Sequence, residues 1–217
     1  MLIRPGRVGR IGSTGRLIAG IIVPPAGATI WNAADKGAEL VLSNNDLTVA
    51  KTGVVTGNHT TVRGTTSRAT GSWQIEAVMQ APKGTGCYAQ IGFASAAHPL
   101  NSFLGDATAH SVGYADVGAI VVNNQFPAVV TYASGDVISC MIEADTGRTW
   151  FAKNGVVVRG IPGSNDQQNS FPATPTNVAP WFIAFAGRNN GDGAILRTKA
   201  VDFQYPILSG FSAWDAA

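Results

Sequence analysis

Residues 135–155 read Gly135-Asp136-Val137-Ile138-Ser139-Cys140-Met141-Ile142-Glu143-Ala144-Asp145-Thr146-Gly147-Arg148-Thr149-Trp150-Phe151-Ala152-Lys153-Asn154-Gly155. Two apolar runs of strand length are each bracketed by turn residues. Gly135-Asp136 opens the first run and Asp145-Thr146-Gly147 closes it. Asn154-Gly155 closes the second and leads into Val156 to Arg159. Asn-Gly supplies the two positive φ values of a tight hairpin, and an Asp in a turn bonds its own backbone neighbours. The stretch predicts consecutive antiparallel strands, with Asp136, Asn154 and Gly155 as structural turn residues. Trp150 and Phe151 are expected to fill or edge a core.

The same alternation of strand and turn extends in both directions. Glu39 to Ser43 and Leu47 to Lys51 flank the turn Asn44-Asn45-Asp46. Ser72 to Gln80 alternates, with Trp73, Ile75, Ala77 and Met79 on one face and Gln74, Glu76 and Gln80 on the other. Cys87 to Ala94, Ala119 to Val122, Ala128 to Tyr132, Pro180 to Gly187 and Ala194 to Arg197 read as further strands. No 3.6-residue periodicity is found from Thr29 onward. Many strands spaced about ten residues apart predict an antiparallel all-β sandwich occupying 31–217, with Trp73 and Trp150 largely buried. Residues 161–179 form the longest loop, and loops on a rigid sandwich are where binding resides.

Composition supports a folded domain. Of 217 residues, 45% are hydrophobic and only 13% charged, about half the charge of a typical ~25%. That excludes disorder as the main state. A net charge of +2 argues against nucleic acid as a partner of the whole chain. No apolar run is long enough for a membrane-spanning helix, so no membrane insertion is expected. Cys87 and Cys140 are too few for a disulfide framework and read as small buried thiols, with their pairing left open. Residues 1–30 differ from the body: they carry Arg4, Arg7, Arg10 and Arg16 and no acid. The apolar patch Leu17 to Val23, followed by Ala26-Gly27-Ala28, has the outline of a secretory signal, but the long Gly/Arg lead-in weighs against it. We expect a basic arm that docks on its own domain or on a neighbouring subunit.

Several segments together resemble a SPRY-type domain, a concanavalin-like jelly-roll β-sandwich. Trp31-Asn32 and Leu40-Val41-Leu42-Ser43 resemble the opening of such a domain. Ser72-Trp73-Gln74-Ile75-Glu76 resembles its aromatic-x-x-Glu strand. Ile91-Gly92-Phe93-Ala94, Leu104-Gly105 and Ser111-Val112-Gly113-Tyr114 resemble its central block. Residues 135–155 resemble its signature of Gly-Asp, apolar strand, Asp-x-x-Gly, aromatic strand and Asn-Gly. The ending, Tyr205 to Trp214, is similar to the close of SPRY-like modules in phage tail and virion proteins. The resemblance implies binding through end loops rather than chemistry.

The signals for chemistry are weak. Glu143-Ala144-Asp145 begins like the Glu-x-Asp-x-x-Glu of sandwich glucanases, but the third acid falls at Arg148 and hydrolysis needs paired carboxylates. His59, His98 and His110 are scattered, and no Gly-x-Ser-x-Gly elbow is present. Asn189-Asn190-Gly191-Asp192-Gly193 offers oxygen ligands but too few acids for a good calcium site, and reads as a turn. No metal or cofactor is expected. The loop candidates for ligand binding are His98, Asn101, Asp106, His110, Asn165, Asp166 and Gln167.

The reading these observations favour is a non-enzymatic bacteriophage virion structural protein, a fibre, decoration or tail-associated subunit. Its arm would anchor it to other virion proteins or to copies of itself, and its sandwich would face outward toward protein or host surface glycan. It would be made in the host cytoplasm and reside on the particle surface. The alternative is a free-standing SPRY-like peptide- or protein-interaction module, and the third reading is a carbohydrate-active enzyme.

Overall fold

The computed structural model describes residues 27–53, 58–80, 89–108, 110–163 and 179–216. The arm residues Arg4, Arg7, Arg10 and Arg16, and Cys87, lie outside them. Fourteen strands and a short 3-10 turn at Ala200–Asp202 are found among the described residues. In chain order the strands are β1 (Trp31–Lys36), β2 (Leu40–Ser43), β3 (Thr48–Lys51), β4 (Thr60–Arg68), β5 (Ser72–Gln80), β6 (Gln90–Ser95) and β7 (Ser111–Ala115). They continue as β8 (Ala119–Val122), β9 (Val137–Glu143), β10 (Arg148–Lys153), β11 (Val156–Val157), β12 (Trp181–Gly187), β13 (Gly193–Arg197) and β14 (Ser212–Ala213). One sheet runs β1-β4-β12-β6-β7-β8. The other runs β11-β10-β9-β5-β13-β3-β2, with β14 paired in parallel to the start of β5. All other pairings are antiparallel, as expected for an all-β sandwich.

The two sheets bury a core rich in aromatic rings. Trp31 packs against Phe185 with ring centroids 6.4 Å apart, and Phe93 stacks on Trp214 at 5.7 Å. Tyr114 meets Tyr132 edge-on at 4.9 Å. The β9–β10 meander predicted from residues 135–155 is present in register, from Arg148 opposite Glu143 to Lys153 opposite Ile138. Asp136 accepts the Ala133 amide at 2.7 Å and the Asn154 side-chain amide at 2.7 Å. The Asn154 side-chain oxygen Oδ1 in turn accepts the Val137 amide at 2.9 Å. Burial alone would raise the Asp136 pKa; these bonds and Lys153 outweigh it and hold the carboxyl below its usual range. Asn154 and Gly155 both have positive φ, 50° and 80°, as the tight hairpin requires. A Cβ on Gly155 would also meet the Tyr205 ring at 2.6 Å.

The faces of β5 alternate as expected, but its polar face is not solvated. Glu76 has no exposed surface. Its carboxylate accepts the amides of Gln204 at 2.7 Å and Tyr205 at 2.9 Å. Gln74 accepts the Leu208 amide at 3.0 Å. The segment after β13 therefore lies across the outer face of the larger sheet, and Leu208 and Phe211 cover Met141 and Trp150 there. Trp150 is fully buried beneath that segment rather than between the sheets, whereas its neighbour Phe151 belongs to the central core. Trp214 then turns into the core and its indole N–H donates to Thr66 at 3.0 Å. The Asp215 carboxylate closes the sandwich by accepting the Thr29 amide at 2.7 Å and hydroxyl at 2.6 Å. Among the described residues, Thr29, inside the segment assigned to the arm, already bonds to the sandwich.

Some expectations need correcting. Trp73 is largely buried, but less completely than Trp150: at the start of β5 it packs against the central core, with the Arg68 guanidinium 4.3 Å from its ring. Residues 128–132 do not form a strand; only Ala128 bridges to Ala119, and Pro127 before it has no amide to give a ladder. Strand β4 has Thr at four of its nine positions and gives no apolar alternation, so pattern reading passes over it. β-branched Thr nevertheless suits a pleated strand covered on both faces. Cys140 is a free, fully buried thiol, and burial pushes its pKa well up.

Trp150→Ala is expected to destabilise the domain by about 3–5 kcal/mol and Trp73→Ala by clearly less, about 1–2 kcal/mol. Chemical denaturation of the two variants measures the difference; equal costs would contradict the burial described here.

Candidate functional site

The loop joining β6 to β7 folds back over the outer face of the smaller sheet, and β4 holds it there. Successive β4 side chains point to opposite faces. Val62 enters the core, while Thr61 and Arg63 face outward. The Thr61 hydroxyl donates to the Ser102 carbonyl at 2.7 Å and its amide to the Leu100 carbonyl at 2.8 Å. Arg63 donates to the carbonyls of Ser95 at 3.2 Å and His98 at 2.7 Å. Both oxygens of Asp35 grip the Arg63 guanidinium at 2.7 Å. This bidentate geometry fixes a cation that is almost fully buried.

Four of the loop candidates, His98, Asn101, Asp106 and His110, lie on this loop. His98 and Asp106 are buried, at 2% and 7% exposure. The Ser111 hydroxyl lies 3.0 Å from His98 Nδ1 and accepts the Gly105 amide at 2.7 Å. Asp106 accepts the Ser102 hydroxyl at 2.5 Å and the Thr108 amide at 3.1 Å. Its carboxylate stands 3.9 Å from the same His98 nitrogen. Serine and carboxylate thus share one face of the imidazole. A nucleophile relay needs them on opposite nitrogens, and Ser111 is fully buried. The cluster shapes the loop instead of meeting a ligand. His110 is half-buried beside it.

Asn101 is different. It is exposed and lines a cleft of about 290 Å³. The turn Gly37–Glu39 forms one wall, Asn58 to Thr60 another, and Leu100 with Asn101 the third. Lys51 stands behind the wall at 1% exposure; its ammonium pairs with Glu39 and donates to the Thr60 hydroxyl at 3.2 Å. A lone buried ammonium would be costly, so Lys51 ties Glu39 in place and balances its charge. From the cleft an aromatic run leads outward. The His59 ring lies 5.5 Å from Phe103, and Phe103 lies 6.3 Å from Phe126, which is 47% exposed. Asn165, Asp166 and Gln167 lie outside the described residues. Sequence reasoning named Asn101 but did not join it to Glu39, Lys51 or Asn58.

The acids considered for hydrolysis do not form a pair. Strand β9 ends at Glu143, whose carboxylate accepts from Arg148 Nε at 2.8 Å. Asp145 sits in the following turn and accepts the Gly71 amide at 2.7 Å. Asp192 accepts the amides of Arg188 and Asn189, at 3.0 and 2.7 Å, so the 189–193 segment is organised as a turn. Among the described residues no group of three or more metal-ligating side chains is found.

The sandwich, with its clasped ends and β4-anchored loop, is similar to solved domains. The SPRY domain of human HERC1 superposes with a TM-score of 0.56 at 15% identity, over 77% of this chain and 96% of that one. A second human SPRY domain gives 0.50 at 18% identity, over 73% and 94%. This is the SPRY-type β-sandwich fold. At these identities the likeness concerns the fold alone. No protein-family profile and no curated protein sequence matches the chain. Within the SPRY-type frame, the cleft lies where the β1–β2 turn, the entry to β4 and the β6–β7 loop converge.

Burial lowers the His98 pKa from 6.5 to about 4; Asp106 opposes that shift, and Arg63 and His110 add to it. The unfolded histidine takes up a proton near pH 6.5, which the folded one resists down to about pH 4. Its contribution to stability is therefore complete above pH 6.5 and is lost as pH falls toward 4, by roughly 3 kcal/mol. Thermal unfolding across this window should show the decline, flattened in His98→Asn; an unchanged slope in the variant would refute it.

Proposed function

We propose that this chain is a non-enzymatic recognition module: a SPRY-type sandwich that docks a partner in the cleft beside Asn101. The observation that carries this reading is a preformed cleft whose walls are fixed from behind by Arg63, Thr61 and Lys51. Sites held on a rigid frame bind without a large ordering cost. The acids and histidines nearest to a catalytic pattern are engaged in structural bonds, which supports binding rather than hydrolysis. Protein partners fit the interaction role in which SPRY-type sandwiches serve.

A specific setting follows from the arm. Its four Arg and absence of acid set it apart from a body that carries 11 basic and 13 acidic residues. The described sandwich closes through Thr29 and Asp215, and the separate composition of the arm supports a role for it in assembly. We read the chain as a phage virion subunit, joined by its arm to other virion proteins or to its own copies and displaying the cleft at the particle surface. A free-standing module keeps the cleft and assigns the arm no role.

Light scattering of the full chain and of a chain lacking residues 1–26 separates these settings. The virion reading expects a discrete oligomer that becomes a monomer on truncation. A full chain that is already a 22.5 kDa monomer would leave the free-standing module. Docking itself is tested with Asn101→Arg, which fills the cleft with a charged side chain. Ligands captured by the native chain from displayed peptides or arrayed glycans should be lost from this variant. Capture that the variant leaves unchanged would refute the cleft as the docking site.

A further inference from the structure

We infer that the cleft and the aromatic run beside it form a platform for a neutral saccharide; this rests on the recognition-module reading and names the ligand of the same site. Charge comes first. Glu39 is the one carboxylate among the described residues lining the cleft, and the Lys51 ammonium pairs with it. The wall is therefore close to neutral. A charged ligand would be desolvated there without a counter-ion.

The hydrogen-bonding groups come second. Asn58 and Asn101 bring side-chain amides, each with two donors and an acceptor. Glu39 adds an acceptor carboxylate. A set mixing donors and acceptors on short side chains matches hydroxyl groups, which donate and accept at once. Lys51 and Thr60 hold the Glu39 carboxylate, so a hydroxyl meeting it finds a fixed acceptor.

Shape comes third. At about 290 Å³ the cleft stands at the small end of ligand pockets, roughly 300–1,000 Å³. It suits one ring-sized unit rather than a long chain. Further units would leave across His59, Phe103 and Phe126, whose centroids step by 5.5 and 6.3 Å. Aromatic faces are electron-rich and attract the slightly positive C–H face of a pyranose ring. Phe126 is 47% exposed, so its ring is open to a ligand at the outer end of this run.

Saturation-transfer NMR on the full chain tests the inference, with neutral gluco-, manno-, galacto- and N-acetylglucosamine-type oligosaccharides as probes. At least one series should show transfer strongest at its ring C–H protons. Titration of that sugar should be weakened about tenfold in Phe126→Ala and at least as much in Asn101→Ala. Both residues are exposed, so both variants should keep the native unfolding midpoint. No transfer from any series, or affinity unchanged in both variants, overturns the saccharide assignment. A displayed peptide captured by the native chain and lost in Asn101→Arg would overturn it while preserving the docking cleft. Failure of sugars and peptides alike would remove both readings.

Discussion

The carboxylate of Glu76 is the contact on which the arrangement of this molecule turns. It sits without solvent exposure on β5, the central strand of the larger sheet, and accepts two backbone amides from the segment that follows β13. A buried carboxylate must be satisfied, and backbone N–H groups are strong partners for it. Gln74 repeats the device two residues earlier, on the same face. Together they hold the last part of the chain over the sheet. That strap covers Trp150 and delivers Trp214 into the core beside Phe93. It ends at Asp215, which binds the incoming chain at Thr29. The two ends of the domain are therefore locked to one another through a strand in its middle.

The smaller sheet solves the same problem with a different group. Its outer face would be left open by β4, β6 and β12. Arg63 and Thr61 instead draw the β6–β7 loop across it, and Leu104 covers Ala94, Ala184 and Ala186. The central strands of both sheets are thus covered on both faces. Strands in that position read as continuous apolar or Thr-rich runs rather than as clean alternation. This is why β6, β8 and β12 read as unbroken apolar segments in the sequence, and why β4 was missed. The cleft is a by-product of the same packing. It opens where the folded-back loop stops short of the β1–β2 turn.

Much of the candidate site lies beyond the reach of sequence reading for a plain geometric reason. Glu39, Asn58 and Asn101 are drawn from three connections separated by about twenty and forty residues, and no spacing rule links them. Lys51 ends in a strand that reads as an ordinary edge. Conversely, His98 and Asp106 have the composition of a ligand loop but point inward. Asn101, three residues after His98, points out. Polar residue type marks a loop; the direction each side chain takes depends on which carbonyls Arg63 happens to reach.

Local sequence alone specifies the all-β class, the β9–β10 meander with its Asp136 and Asn154-Gly155 turns, and the distinct basic composition of residues 1–30. These are local properties: turn residues, period-two alternation and charge composition act over a few neighbouring positions. Folding in three dimensions sets the rest: the polar face of β5 is buried, Trp150 lies under a strap rather than between sheets, Trp73 is less enclosed than Trp150, and Asn101 meets Glu39 and Asn58 in one cleft. Each of these depends on groups far apart in the chain competing for the same buried partner, and that competition is resolved only when the two sheets and their covering segments pack together.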